Sequence, residues 1–329
     1  MSKRLKLLFD DIEKMFPESK DNGFFKAMNI YSKSYEEYLN FNEFKVYHYT
    51  DINALIHIVH EQGLWLSNLK YLNDKDEILN GAKIAIDLIH KLLNKTKYIK
   101  DKSKIILEKV LLLLNEKNTK DYYICSFSLK ADDLEQWRAY GKNGSGVCIE
   151  FDKKNKNYTL FNIGNFLIWH KVIYDDNKKY RFIHSIIFRY LYYAKGSFIN
   201  EKFTIDDYAE VLYRKITYSF VYFKHRAFES ENEIRLVYEP RDVEELKKDF
   251  AKLHFRESKN MIVPFIKTNE HKLKSASANE YEDKQLLPVS KIIVGPTANG
   301  KVTVDSIREL LKFHQYQNVT VEESIVPFR

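Results

Sequence analysis

Apolar and polar positions change period along the chain, and the period names the element. Residues 1–40 repeat at helical spacing in two pieces, broken around Pro17 to Gly23. FKVYHYT (44–50) alternates instead, as a strand with one buried face does. Asp51 then opens DINALIHIVHEQG, a helix capped by that aspartate and ended by Gly63. LWLSNL (64–69) reads as a short second strand, and helical spacing returns over 75–94 and 100–117. YYICSFS (122–128) and GVCIEFD (146–152) are the clearest strands of the chain. DDLEQWRAYG between them is a short helix with Asp132 as candidate cap and Gly141 at its end. One or two strands fall within 161–174, and 179–229 is mostly helical. ENEIRLVYEP (231–240) is a strand closed by Pro240. A charged helix over 241–256, strands at MIVPFI (261–266) and VSKIIVG (289–295), and a closing helix, turn and strand complete the pattern.

About eight strands interrupted by helices, without regular βαβ alternation, predict an α+β fold and argue against a doubly wound sheet. The expected organisation is an N-terminal helical segment, 1–40, followed by one domain over 41–329. That domain carries helical insertions at about 75–120 and 179–229. The glycine-rich GKNGSG (141–146) has neither GxGxxG nor Walker spacing, which excludes a Rossmann or P-loop phosphate cradle.

Composition changes this picture little. With 44% hydrophobic and 15% aromatic residues the chain can fill a core, and 10 Gly and 6 Pro leave no room for long linkers. A net charge of +7 admits a nucleic-acid or acidic partner; a lysine-rich solvated surface explains it equally well. Cys125 and Cys148 lack metal-ligand spacing and read as buried thiols, so no metal is expected. The N-terminus reads as an amphipathic helix and not a signal peptide, and the longest apolar run, Val110 to Leu114, is too short to span a bilayer. The expectation is a cytoplasmic protein without membrane contact.

Several segments in fixed order carry a family resemblance: VYHYTD (46–51), GLWLSNLKYLNDKDE (63–77), ICSFS (124–128), QWRAYG with GVCIEFD, FKHRAFESENEIRLVY (223–238) and VSKIIVGPTAN (289–299). The set resembles the bacterial domain of unknown function family 2971. That family in turn is similar to ADP-ribosyltransferases, with a His-bearing first strand, a second strand ending in small polar residues and a late strand carrying Glu. The resemblance implies a split β-sheet core and NAD as substrate. It also implies cleavage at the nicotinamide glycosidic bond, and a toxin or antiviral-defence role in abortive infection with an antitoxin or phage-derived activator as partner.

Breaking the nicotinamide–ribose bond develops an oxocarbenium-like cation, which a nearby carboxylate stabilises. The resemblance points to Glu233 for that task, with Glu231 two residues earlier on the same pleat. A solvated strand end paired to Arg235 or Arg226 is the plain alternative. His48, followed by Thr50 as in His-x-Thr families, is expected to bind the adenosine ribose, with Tyr49 beside it facing the other way. Tyr71 is the candidate to stack on nicotinamide. Ser67 is its rival in a different class, which orients the glutamate from the second strand. Asn73 and Asp74 line the pocket or, for Asp74, cap the next helix. Ser126, Ser128, Arg138 and Arg235 complete the cofactor-binding set, Arg138 by gripping the pyrophosphate. For the acceptor, RNA or single-stranded DNA is preferred slightly over protein. The reasons are the Lys-rich helices at 91–120, the basic FKHR (223–226), and the aromatics of RFIHSIIFRYLYYAK (181–195). Two alternatives stand: an NAD glycohydrolase using water, and a catalytically inactive nucleotide or phage-protein sensor.

Overall fold

Alternating apolar runs become ten strands and the 3.6-period runs become seven helices, counted among the residues the computed structural model describes. Those residues are 45–72, 75–94, 101–116, 121–152, 167–195, 203–239, 252–258, 260–270 and 286–328. In chain order the elements are β1 (Lys45–Thr50), α1 (Ile52–Glu61), β2 (Trp65–Asn68), α2 (Lys75–Asn94), α3 (Asp101–Glu116), β3 (Tyr123–Ser128), α4 (Leu134–Ala139) and β4 (Val147–Asp152). There follow β5 (Leu167–Lys171), α5 (Asp176–Lys195), α6 (Ile205–Ser219), β6 (Glu233–Tyr238), β7 (His254–Ser258), β8 (Met261–Lys267), β9 (Val289–Val294), α7 (Gly300–Phe313) and β10 (Thr320–Glu323). The mixture is α+β. The N-terminal segment 1–40 lies outside the described residues.

The chain divides into two compact units. One takes in 72–121 and 172–226, so the two helical insertions belong to a single helical unit. Its α6 starts with a capping box, in which Thr204 accepts from the Asp207 amide and the Asp207 carboxylate accepts from the Thr204 amide. One stripe of α6 is buried, including Tyr208, Leu212 and Ile216. In α5 the aromatic run 181–195 contributes Phe182, Ile183, Ile186, Ile187 and Tyr190 to the core. That is ordinary packing for these side chains and leaves them unavailable to stack on a base.

The other unit holds the sheet, ordered β10-β9-β4-β1-β3-β2-β8-β7, with β6 also on β3 and β5 on β6. Its ladders are antiparallel except β9–β10, which α7 joins as a βαβ crossover, and of the antiparallel pairs β7–β8 is linked by a hairpin-length turn. The decisive feature is β3. One edge pairs with β6 along its whole length, Tyr123↔Tyr238 to Ser128↔Glu233. The other edge is shared: β2 takes Tyr123 and Ile124, and β1 takes only Ser128. Between them, Cys125–Phe127 carries no ladder partner on that edge among the described residues. The sheet forks there.

Local chemistry differs from the sequence expectation at three points. Asp51 caps α1 by accepting from Ala54 N at 2.8 Å, as expected, but the left-handed position that ends the helix is Gln62 (φ 54°). Gly63 is required instead for close approach, since a Cβ would stand 2.8 Å from the Asn269 side chain. In α4 the cap is Asp133, which accepts from Glu135 N and Gln136 N. Asp132, at φ 47°, accepts from Trp137 Nε1, Ser324 Oγ and Ile325 N, tying the C-terminal segment to this loop. Finally, the charged helix expected over 241–256 is corrected at its end. Residues 254–258 are β7, an edge strand whose charge density mimics a solvated helix face; 241–251 lie outside the described residues.

GKNGSG proves to be a tight backbone turn. Gly144 N donates to the Trp137 and Gly141 carbonyls, Gly146 N to Gly141 O, and Gly295 N to Gly146 O. A Cβ on Gly146 would stand 2.2 Å from Thr50 O, so only glycine lets β1 and this turn meet. The amides of Gly141, Gly144, Ser145 and Gly146 are thus engaged within the turn and its neighbours.

Candidate functional site

The fork links three of the expected residues from three strands, Glu233 through the Ser126 hydroxyl and His48, on the Phe127 side of β3, through the Ser126 main-chain carbonyl. β1 leaves β3 after Tyr47↔Ser128, which strips the Ser126 carbonyl of a strand partner. His48 fills the gap: its Nδ1–H donates to Ser126 O at 2.9 Å. A carbonyl only accepts, so Nδ1 carries the proton and Nε2 keeps its lone pair. Burial lowers the His48 pKa below the ordinary imidazole value, with the Ser126 carbonyl acting weakly the other way, so the ring is neutral at pH 7. Phe127 lies against it, ring centroids 5.4 Å apart.

Ser126 is the one exposed side chain of β3, and its hydroxyl donates to Glu233 Oε1 at 2.6 Å. Glu233, 4% exposed, also accepts from Arg235 Nε at 2.8 Å, with Nη2 3.4 Å from its second oxygen. The register explains this meeting, because Ser126↔Arg235 and Ser128↔Glu233 are cross-strand partners on one face. The carboxylate is thus held as an anion between a buried cation and a surface hydroxyl.

Glu231 behaves differently from the expectation. It ends the 3₁₀ turn Arg226–Glu231, and Asn232 (φ 46°) turns the chain before β6 begins, so the two acids are not successive positions of one pleat. Glu231 Oε1 accepts from Tyr140 Oη at 2.8 Å. Its carbonyl accepts from Ser128 Oγ, and Ser128 Oγ accepts from Lys130 N, so buried Ser128 pins the turn.

Tyr49 and Arg235, both expected in the cofactor-binding set, are buried. Tyr49 faces the opposite side of β1, buried with Trp137, Cys148 and Ile293; its hydroxyl donates to Lys130 O and accepts from Asp133 N. Strand alternation puts it in the core whenever His48 faces the fork. Arg235 is 0% exposed and donates to Glu233, which places it to position that carboxylate. Thr50 ends β1 opposite Val147. Tyr71 is exposed at the end of the 3₁₀ turn that follows β2. Arg138 is exposed on α4 with its guanidinium over the Phe328 ring, 5.7 Å away. Asn73 and Asp74 lie outside the described residues.

Ser67 is buried on β2, paired with Ile124 beside the open edge. It accepts from Arg256 Nη2 at 2.9 Å. Arg256 was hidden in the sequence because 241–256 reads as helix; strand alternation of HFRES would have put His254, Arg256 and Ser258 on one face.

The basic track is less continuous than the sequence suggests. Lys224 is buried, Lys104 pairs with Glu108, and Lys109 with Asp206. Cys125 and Cys148 are both buried and free, and burial pushes each thiol up to about 12. Among the described residues no cluster of three or more His, Cys, Asp or Glu is placed to hold a metal, and no helix is long and apolar enough to cross a membrane.

No curated protein and no solved structure matches the chain. The family described as Protein of unknown function (DUF2971) matches residues 136–236, from α4 through most of β6, and so includes Glu231, Glu233 and Arg235. What the match shows is that this segment is similar to the DUF2971 family.

Proposed function

We propose that this chain binds NAD at the fork of its sheet, cleaves the nicotinamide–ribose bond and passes ADP-ribose to an acceptor. The observation that carries the reading is the linked trio. His48, Ser126 and Glu233 come from three strands and are joined by two hydrogen bonds at the only unpaired stretch of β3's edge among the described residues. The forked sheet supports an ADP-ribosyltransferase-like core, in which first-strand His and late-strand Glu flank such an opening.

In this reading the neutral His48 uses its Nε2 lone pair to accept from a ribose hydroxyl. The bond between ribose C1′ and nicotinamide N1 breaks, its electron pair leaving with a neutral nicotinamide. The Glu233 anion stabilises the positive charge that develops on the ribose, acting with or through Ser126. An acceptor oxygen or nitrogen then bonds to C1′ and loses its proton to solvent. Water, protein and nucleic acid are the acceptors to be separated.

A second reading has its own observation. Glu233 is already neutralised by Arg235 and nearly covered, which suits a nucleotide sensor that binds without turnover. NAD labelled on the adenylate phosphate, incubated with the protein alone and with cell extract, RNA or single-stranded DNA, distinguishes the cases. Nicotinamide release with label retained on a polymer supports a transferase. Release without retention supports a glycohydrolase. Binding without release supports the sensor, and neither binding nor release refutes the NAD reading.

A further inference from the structure

We propose that Arg256, with Ser67, forms an anion subsite on the β2 side of the fork that takes the diphosphate of a nucleotide. The nucleotide's identity rests on the NAD reading; the anion site does not.

β7 is patterned the wrong way round for a strand that covers an apolar core. His254, Arg256 and Ser258 are partly buried, while Phe255 and Glu257 are exposed. A strand that turns a phenylalanine to water and a guanidinium inward has a use for the inward charge. Arg256 reaches Ser67 Oγ through Nη2 at 2.9 Å. Its Nε is buried without an acceptor, and no carboxylate among the described residues lies within ion-pair distance of the guanidinium. The nearby acids are otherwise engaged: Glu270 holds His254 Nε2 with both oxygens at 2.8 and 3.0 Å, and Glu257 accepts from Asn260 N. A guanidinium offers five donors in a planar fork; here Nη2 engages Ser67, while the buried Nε–H has no acceptor and the charge no counter-ion among the described residues. A phosphate oxygen pair matches that fork and supplies the missing counter-charge.

Position agrees with chemistry. Ser67 pairs with Ile124, the residue before the open edge Cys125–Phe127. Arg256 is opposite Val263 and Ser67 opposite Phe265 two residues on, while Ser67 is opposite Ile124, two residues from Ser126, so strand alternation puts Arg256, Ser67 and the Ser126–Glu233 pair on one face of the sheet. His48 stands on the β1 side of that stretch. A dinucleotide needs its negative diphosphate neutralised, and most amides of the glycine-rich 141–146 turn, those of Gly141, Gly144, Ser145 and Gly146, are engaged internally, which leaves that task to a side-chain cation such as Arg256.

The test uses calorimetric titration of the full chain with pyrophosphate, ADP-ribose and adenosine, for wild type, Arg256→Gln and Arg256→Lys. Wild type is expected to bind pyrophosphate and ADP-ribose. Arg256→Gln should weaken both at least about 10-fold, as loss of a charge-assisted pair implies, with adenosine binding unchanged and Arg256→Lys intermediate. Pyrophosphate should raise the unfolding temperature of wild type but not of Arg256→Gln, a readout that also verifies the variant's fold. Equal affinity of wild type and Arg256→Gln for pyrophosphate and ADP-ribose overturns the subsite, as does absence of saturable binding of either to wild type. Arg256-dependent pyrophosphate binding without NAD binding or cleavage upholds the subsite and sinks the NAD reading. NAD cleavage by Arg256→Gln with unchanged KM does the reverse.

Discussion

Glu233→Gln is the natural test of the catalytic assignment, and the structure predicts that it does two things at once. The substitution removes the negative charge beside Arg235, whose guanidinium is completely buried and donates from Nε to Glu233 Oε1 at 2.8 Å. Leaving a buried charge without its partner costs about 3–5 kcal/mol. The amide oxygen of Gln still accepts one bond, which puts the expectation near the lower end, about 3 kcal/mol. At about 2–4 °C per kcal/mol for a domain of this size class, the unfolding temperature should fall by about 6–12 °C. Ser126→Ala separates the two effects. It deletes one charge-assisted hydrogen bond at a solvent-exposed position, where water replaces part of the loss, so stability should change by no more than about 1 kcal/mol. Turnover should nevertheless fall about 10–100-fold if Ser126 orients the carboxylate in the transition state. The assay is nicotinamide release measured well below the unfolding midpoint of each variant, with circular dichroism following unfolding. Full turnover in folded Glu233→Gln refutes the catalytic role. Unfolding of that variant at the wild-type temperature refutes the buried ion pair.

The remaining predictions concern His48, Tyr49 and Gly146. Because burial lowers the His48 pKa, the unfolded chain binds its proton more readily, so its contribution to stability is present above about pH 6.5 and lost as pH falls through the lower folded value. Unfolding curves from pH 8 to 5 should show this loss, and His48→Gln should flatten it; an unchanged profile would mean that another group governs the decline. His48→Ala should weaken NAD binding about 10-fold by titration, since one ribose hydrogen bond is lost, and unchanged affinity would return His48 to a purely structural role. Tyr49→Phe should cost about 1–3 kcal/mol by chemical denaturation, for the Lys130 carbonyl and Asp133 amide left behind, with no change in NAD affinity. Gly146→Ala should destabilise by about 2–3 kcal/mol, because its Cβ meets a backbone oxygen that cannot swing away; wild-type stability would mean that the turn is looser than its hydrogen bonds indicate.

The sequence by itself determined most elements, because periodicity and capping are local. The 20-residue helix Lys75–Asn94 and the strands around YICSFS and VCIEF follow from spacing, and the Asp51 cap from one side chain and its own amide neighbours. His48 and Tyr49 on opposite faces follow from the strand period of two. Tertiary structure decided which face was which, and with it the site. That Ser126 is exposed while Ser128 is buried depends on where β1 and β2 leave β3, a register between segments as far apart in the chain as His48 and Ser126, 78 residues. The pairing of Glu233 with Arg235 was legible as the alternative reading, but its burial was not: two residues that read as a solvated strand end are buried in a strand paired on both edges, by β3 and by β5. Arg256 was the largest loss, since an edge strand rich in charge has the composition of a helix, and only its partner β8 and the Ser67 hydroxyl reveal the face it presents. Local rules act within a turn of helix or a pair of strand residues, whereas the fork is made by non-local hydrogen bonds that one strand's sequence does not contain.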